Sequence, residues 1–254
     1  MERSLEGRVA VVTGASGGLG LHFARLLASA GASVALMARR RALIEAAADE
    51  IVSGGGRAIA LALDVADASA IGPALDAAEG ALGPLSIMVN NAGVSGEGLA
   101  LEITPEAWDA CFAVNVRGVF IGSREAARRM LANGEAEAGH ARIINIASIG
   151  AHTVLPGLAA YCASKAAVAQ LTRVLAREWA RPQIAVNALC PGYIETELNA
   201  DWFASEGGQK QLKGWPRRRM MEETDLDTAV LMLAGPAARA ITGSVLTLDD
   251  GQSL

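Results

Sequence analysis

An α/β fold built on one doubly wound parallel sheet of about seven strands, with helices on both faces, is predicted by three observations. Short apolar runs recur along the chain, segments of helical periodicity separate them, and the alternation persists through all 254 residues. The runs lie at 9–12, 34–38, 58–63, 85–89, 143–147, 184–189 and 245–248. They are apolar on both faces, as buried parallel strands are, whereas half-exposed antiparallel strands alternate. Between them, 19–30 and 42–52 carry apolar residues at i, i+3, i+4 spacing. Thr104-Pro105-Glu106 reads as an N-cap followed by proline at the first helical position. No linker, repeat or low-complexity block interrupts the rhythm, so residues 1–254 are expected to form a single domain.

Bulk composition narrows the function classes. Hydrophobic residues make up 52% and charged residues 19%, which favours an extensive core over disorder. Aromatics are only 4%, so that core must rest on Ala, Val, Leu and Ile. A net charge of −5, with no basic stripe interleaved with aromatics, argues against a nucleic-acid partner. Cys111, Cys162 and Cys190 are scattered, without a CxxC pair or a histidine cluster, so neither a disulfide framework nor a metal site is expected. No signal-peptide core opens the chain and no run approaches the roughly 18 apolar residues of a membrane span. A cytoplasmic protein without membrane contact is the expectation.

The first strand runs into Thr13-Gly14-Ala15-Ser16-Gly17-Gly18-Leu19-Gly20, which opens directly into a helix. Glycines here allow a tight turn and close approach of a pyrophosphate to the helix N-terminus, as in Rossmann-type dinucleotide folds. Gly14, Ser16, Gly17, Gly18, Leu19 and Gly20 are therefore candidate cofactor contacts. The second strand ends at Ala38 and is followed by Arg39-Arg40-Arg41. An acidic residue at this point would select NAD, and a guanidinium suits the 2′-phosphate of NADP. Arg39 is the candidate reader and NADP the favoured cofactor, with NAD the alternative; Arg40 and Arg41 read as surface. Asp64-Val65 and Asn91, in Asn90-Asn91-Ala92-Gly93, follow the third and fourth strands, where ligands bind in open α/β sheets.

The fifth strand leads to Ser148, Tyr161 follows 13 residues later, and Lys165 stands four beyond it. On a helix, i and i+4 share a face, so phenol and ammonium can enter one cleft. A cation beside the phenol would lower its pKa and fit it to move protons to and from an alkoxide. The serine hydroxyl can hydrogen-bond the same oxygen as charge develops. The chain has only two tyrosines, which adds weight to this one.

With these segments, and with Asn115 in Ala113-Val114-Asn115-Val116 and Pro191-Gly192-Tyr193-Ile194-Glu195-Thr196, the sequence resembles the short-chain dehydrogenase/reductase family over essentially its full length. The resemblance implies an NAD(P)-dependent oxidoreductase acting on a ketone or secondary alcohol, with a tetrad of Asn115, Ser148, Tyr161 and Lys165. It further implies that Tyr161 and Lys165 adjoin the cofactor, with Lys165 on the nicotinamide ribose. Asn115 would hold a water in a proton relay, and Ile194 and Thr196 would meet the carboxamide. A homo-oligomer, tetramer or dimer, is implied as well. Three positions depart from the pattern. Ala185 and Gly17 stand where many relatives are basic, the latter weakening the NADP reading. Asp249-Asp250-Gly251 replaces the usual Asp-Gly-Gly.

Two competing readings are an epimerase or dehydratase of the longer branch, for whose extra domain 254 residues leave little room, and a non-catalytic dinucleotide sensor or scaffold. Substrate identity is left open among 3-oxoacyl, cyclic-ketone and steroid-like compounds. Val94, Ser95, Ile149, Gly150, Val154, Leu155, Tyr193, Trp202 and Phe203 suggest an apolar pocket, to which His152 adds a candidate polar contact. The irregular stretch at about 195–215, with Trp202 and Phe203 as cover and Gly207-Gly208 as hinge, reads as a substrate lid, with a pair of surface helices the alternative.

Overall fold

The sheet-forming runs sort their side chains strictly by parity. In β1 (Val9–Thr13), Ala10 and Val12 face one helical layer while Val9 and Val11 face the other. The computed structural model describes residues 4–194 and 200–254. Six further strands complete the sheet: β2 (Ser33–Ala38), β3 (Arg57–Ala62), β4 (Leu85–Asn90), β5 (Arg142–Ile146), β6 (Ala185–Pro191) and β7 (Val245–Leu248). All pair in parallel, in the order β3-β2-β1-β4-β5-β6-β7.

Helices α1 (Gly18–Ser29) and α2 (Arg41–Ser53) cover one face with α9 (Asp227–Ala234), through Phe23, Leu27, Ile44 and Val230. Helices α3 (Ala68–Leu82), α5 (Val119–Ala132) and α6 (Ala159–Glu178) cover the other, through Ile71, Leu75, Met130 and Leu175. Each such side chain, fully buried, stabilises by about 1.5–3 kcal/mol. The core therefore closes with few aromatics because aliphatic residues fill both layers. α4 (Pro105–Phe112) starts as expected, with the Thr104 hydroxyl accepting from the Ala107 amide. Two short helices, α7 (Ala200–Ala204) and α8 (Glu206–Gly214), occupy the stretch after β6.

The predicted strands are all present, displaced by one or two residues at some ends. One expectation needs correction: β3 and β7 are not buried on both faces. Their residues are half-buried or exposed because the strand order puts them at the two sheet edges. The chain order reverses direction between β1 and β4, which opens a crevice beyond their carboxyl ends. Thr13 closes the floor of that crevice. Its Oγ1 accepts the amides of Asn91 (3.0 Å) and Ala92 (3.1 Å), tying the end of β1 to the turn after β4.

Candidate active site

The glycine-rich turn is built by close contact. Gly14 has φ +69°, and a Cβ there would lie 2.8 Å from the Ala92 Cα. A Cβ on Gly20 would lie 2.3 Å from the Gly14 carbonyl oxygen and 2.5 Å from Asn91 Nδ2, so position 20, in the first turn of α1, seats only glycine. Asn91 Nδ2 in turn donates to the Thr13 carbonyl at 3.1 Å. No side chain caps α1, so its leading amides face the crevice without an internal acceptor from a capping residue. That is the donor set an anionic pyrophosphate needs, and the residues fit a dinucleotide. Ser16 and Gly17 are half-buried, Gly18 is exposed, and Leu19 packs against the core.

Of the arginines after β2, Arg39 is exposed, with no hydrogen bond or ion pair among the described residues. Arg41 pairs with Glu45 at 2.7 Å. Arg40, read from sequence as surface, is exposed but reaches the glycine-rich turn. Its Nε and Nη2 donate to Ser16 Oγ at 3.1 and 3.0 Å. Its Nη2 also passes 3.3 Å from where a Cβ on Gly17 would stand. The missing side chain at Gly17 thus leaves room for a guanidinium supplied by another segment. Asp64 is exposed, its Oδ1 accepting from the Ala66 amide at 2.9 Å, and Val65 packs by Gly118. Ile194 pairs with Met221 and lines a cleft of about 720 Å³ between His22 of α1 and residues 220–224. Thr196 lies outside the described residues.

At the chemical end, Ser148 is buried just past β5, where its Oγ accepts from the Gly150 amide at 3.1 Å. It also faces the phenol of Tyr161, on the first turn of α6, as a hydrogen-bond partner. Tyr161 Cε1 lies 3.4 Å from a Cβ position on Gly150, beside Cys162 Sγ and Leu155. Lys165 is buried, its Nζ donating to the Ile146 carbonyl at 2.8 Å and lying 5.6 Å from the Tyr161 ring centre. The expected lowering of the phenol is not what the geometry gives. Burial raises the Tyr161 pKa, against a smaller opposing pull from Ser148. Burial also lowers Lys165 to about 8.

Asn115 lies in a π-helical stretch, Ala113–Gly118, between α4 and α5. Its side chain ties two segments together. Oδ1 accepts from the Val94 amide at 2.9 Å, and Nδ2 donates to the Val94 carbonyl and to Ser164 Oγ, both at 2.9 Å. Ser164 Oγ donates on to the Tyr161 carbonyl at 2.7 Å. Asn115 sits at the kind of helix irregularity that accompanies functional sites. Sequence reading passed over Ser164, although its i+3 spacing from Tyr161 was a usable signal.

The segment after β6 departs from the expected cover. Trp202 is 53% exposed and donates from Nε1 to Gln211 at 2.9 Å. Phe203 is buried, forming with Tyr193 and Trp215 an aromatic cluster whose ring centres are 5.3–5.6 Å apart. Gly207 and Gly208 are not a loop hinge but part of α8. A Cβ on Gly208 would lie 2.1 Å from the Trp202 carbonyl oxygen, so the glycine permits close packing of α8 on α7. Among the described residues, no three His, Cys, Asp or Glu side chains could hold a metal ion, and no helix is long and apolar enough to cross a membrane.

Comparison with known proteins agrees with this fold. A family model described as short chain dehydrogenase matches residues 8–207. The chain is 40% identical over 253 residues to a galactitol 2-dehydrogenase (L-tagatose-forming) of Cereibacter sphaeroides, covering 98% of this chain and 96% of that one. It superposes with a TM-score of 0.92 on a gluconate 5-dehydrogenase of Burkholderia cenocepacia in complex with NADP and tartrate, at 34% identity, covering 99% of this chain and 97% of the other. It is also 37% identical to the inactive 2-(S)-hydroxypropyl-CoM dehydrogenase 2 of Xanthobacter autotrophicus, covering 91% of this chain and 99% of the relative.

Proposed function

This chain belongs to the short-chain dehydrogenase/reductase family of oxidoreductases, and from that premise we propose that it moves a hydride between NADP(H) and a secondary alcohol or its ketone. Because one relative is named as inactive, membership alone does not carry the reading. The single observation that does is the convergence of Ser148, Tyr161 and Lys165 at the carboxyl end of β5. A nucleotide sensor or scaffold has no use for a phenol, a hydroxyl and an ammonium gathered in this way.

When bound, the nicotinamide supplies or accepts the hydride. The chain's own residues manage the proton on the substrate oxygen. Ser148 Oγ accepts from Gly150, and a hydroxyl keeps one hydrogen to donate, so it can hold that oxygen as charge grows. Tyr161, kept protonated by burial, gives its proton to the alkoxide during reduction and takes one during oxidation. Lys165 holds a positive charge close to both partners, and Asn115 fixes the Val94 turn and Ser164 behind them. Gly14, Ser16, Gly17, Gly18, Leu19, Gly20, Asp64, Val65, Asn91, Ile194 and Thr196 complete the proposed cofactor contacts.

The substrate proposed first is an open-chain polyol, because the galactitol 2-dehydrogenase relative is alike over nearly the full chain. This moves away from the apolar substrate that composition suggested, since Trp202 turns toward α8 and Phe203 is buried. Activity with galactitol and a panel of polyols and ketones, against NADP(H) and NAD(H), tests the reading. A homo-oligomer is proposed too: α4, α5 and α6 leave an apolar groove lined by Phe112, Val116, Phe120 and Leu171.

NADP is favoured through Arg40 together with Arg39, because Arg40 already crosses the glycine-rich turn. Arg40→Leu should raise KM for NADPH roughly tenfold or more, the size of a lost charge-assisted hydrogen bond, and leave KM for NADH nearly unmoved. Steady-state kinetics with both cofactors checks this. A wild type that prefers NADH would contradict it.

A further inference from the structure

Strand β7 ends at Leu248, and the turn that follows packs against the turn leaving β6. The Leu248 carbonyl accepts from the Gly192 amide at 2.9 Å, and Gly192 has no room for a side chain. A Cβ there would lie 2.5 Å from Gln252 Oε1 and 2.8 Å from the Asp249 Cα. Gln252 is 7% exposed, and its carboxamide joins both ends of the excursion that carries α7 and α8. Oε1 accepts from the Tyr193 amide at 2.6 Å, at the outgoing end. Nε2 donates to the Tyr193 carbonyl at 3.2 Å and to the Arg219 carbonyl at 3.3 Å, at the returning end.

Asp250 adds a second grip. It adopts φ +54°, a left-handed conformation that glycine takes freely and aspartate tolerates better than most residues. Its carboxylate is nearly buried, and it accepts from Arg217 Nη1 at 2.6 Å and Arg219 Nε at 2.7 Å. The ring of Tyr193 meanwhile stacks on Trp215 and meets Phe203 edge-on. The same phenol is close enough to Tyr161 to act on it electrostatically.

We propose that Gln252 and Asp250 are positioning residues for substrate binding. They fix the Tyr193 backbone and the turn returning through Arg217 and Arg219, and so set where the aromatic cluster stands relative to Tyr161. The proposal rests on the catalytic reading of Tyr161, but its geometry can be read without turnover. Among the described residues neither contacts the glycine-rich turn, so their influence falls first on the alcohol side of the site.

The experiment uses the full chain with NADP⁺, comparing wild type, Asp250→Asn and Gln252→Glu. Asp250→Asn keeps shape and left-handed tolerance while removing charge. Gln252→Glu can still accept from Tyr193 but cannot donate to the two carbonyls. Amide exchange in residues 200–218 should quicken about tenfold in both variants, with the sheet amides unchanged. KM for the best polyol should rise roughly fivefold or more, with kcat within about twofold and NADP⁺ affinity unmoved. Combining Asp250→Asn with Arg219→Met should add little to Asp250→Asn alone, since that variant already weakens the Arg219 contact. Unchanged exchange, quicker exchange with KM unmoved, or equal losses of cofactor and substrate binding would each overturn the proposal. A wild type without turnover defeats the catalytic reading instead, and exchange alone then decides whether the clamp exists.

Discussion

Tyr161→Phe should lower kcat by about 10²–10⁴-fold, the range for a lost acid/base, while NADP(H) affinity stays within a few-fold. The substitution keeps the ring, which fits between Gly150 and the side chains of Leu155 and Cys162, and removes only the hydroxyl. Ser148 keeps its bond from the Gly150 amide, so the remaining site should stay folded. A loss of this size without a shift in cofactor binding assigns the proton transfer to one oxygen atom. Because burial raises the phenol's pKa, wild-type alcohol oxidation, which needs the ionised form, should speed up with rising pH. Ketone reduction should not. In Tyr161→Phe that alkaline rise should vanish. A variant that keeps more than about a tenth of wild-type turnover would remove Tyr161 from the mechanism.

Lys165→Met should have an effect on turnover of similar size and an opposite kind of effect on stability. The ammonium is buried and, among the described residues, donates to the Ile146 carbonyl. Burial lowers its pKa from 10.5 to about 8. Between those values the unfolded chain holds the proton and the folded chain does not, so wild-type stability rises with pH across that window. Below about 8 the whole penalty for burying the charge is present. At about 1.4 kcal/mol per pKa unit the penalty is roughly 3 kcal/mol. Methionine carries no charge and no such pH dependence. The variant's stability relative to wild type should therefore be highest near neutral pH and fall by roughly 2–3 kcal/mol toward pH 10. Urea midpoints measured across that range read the difference directly. Parallel pH profiles for the two proteins would show that the lysine is not buried with its charge.

Much of this architecture was legible because it is local. The seven apolar runs and the helices between them follow from side-chain pattern, and Ser148, Tyr161 and Lys165 follow from spacing along one strand end and one helix. What escaped was set by tertiary context. Nothing near residue 58 reveals that its strand lies at the sheet edge. Arg40 reaches Ser16 only because the chain turns back at the start of α2, a turn the residue types do not specify. Trp202 and Phe203 are adjacent aromatics of equal promise in the sequence, yet the helix they share exposes one and buries the other. The raised phenol of Tyr161 depends on burial by residues distant in sequence. Gln252 meets Tyr193 across 59 residues, beyond any local signal.

The central claim is that this chain transfers hydride from a carbinol carbon under the control of Tyr161. It is tested most directly by incubating the protein with NADP⁺ and galactitol deuterated at its carbinol carbons, then weighing the recovered cofactor. One deuterium is expected in the reduced cofactor, on one face of the ring, with Tyr161→Phe giving a small fraction of that yield. A protein that binds NADP⁺ tightly but passes no label, from galactitol or any other polyol or secondary alcohol supplied, would contradict it.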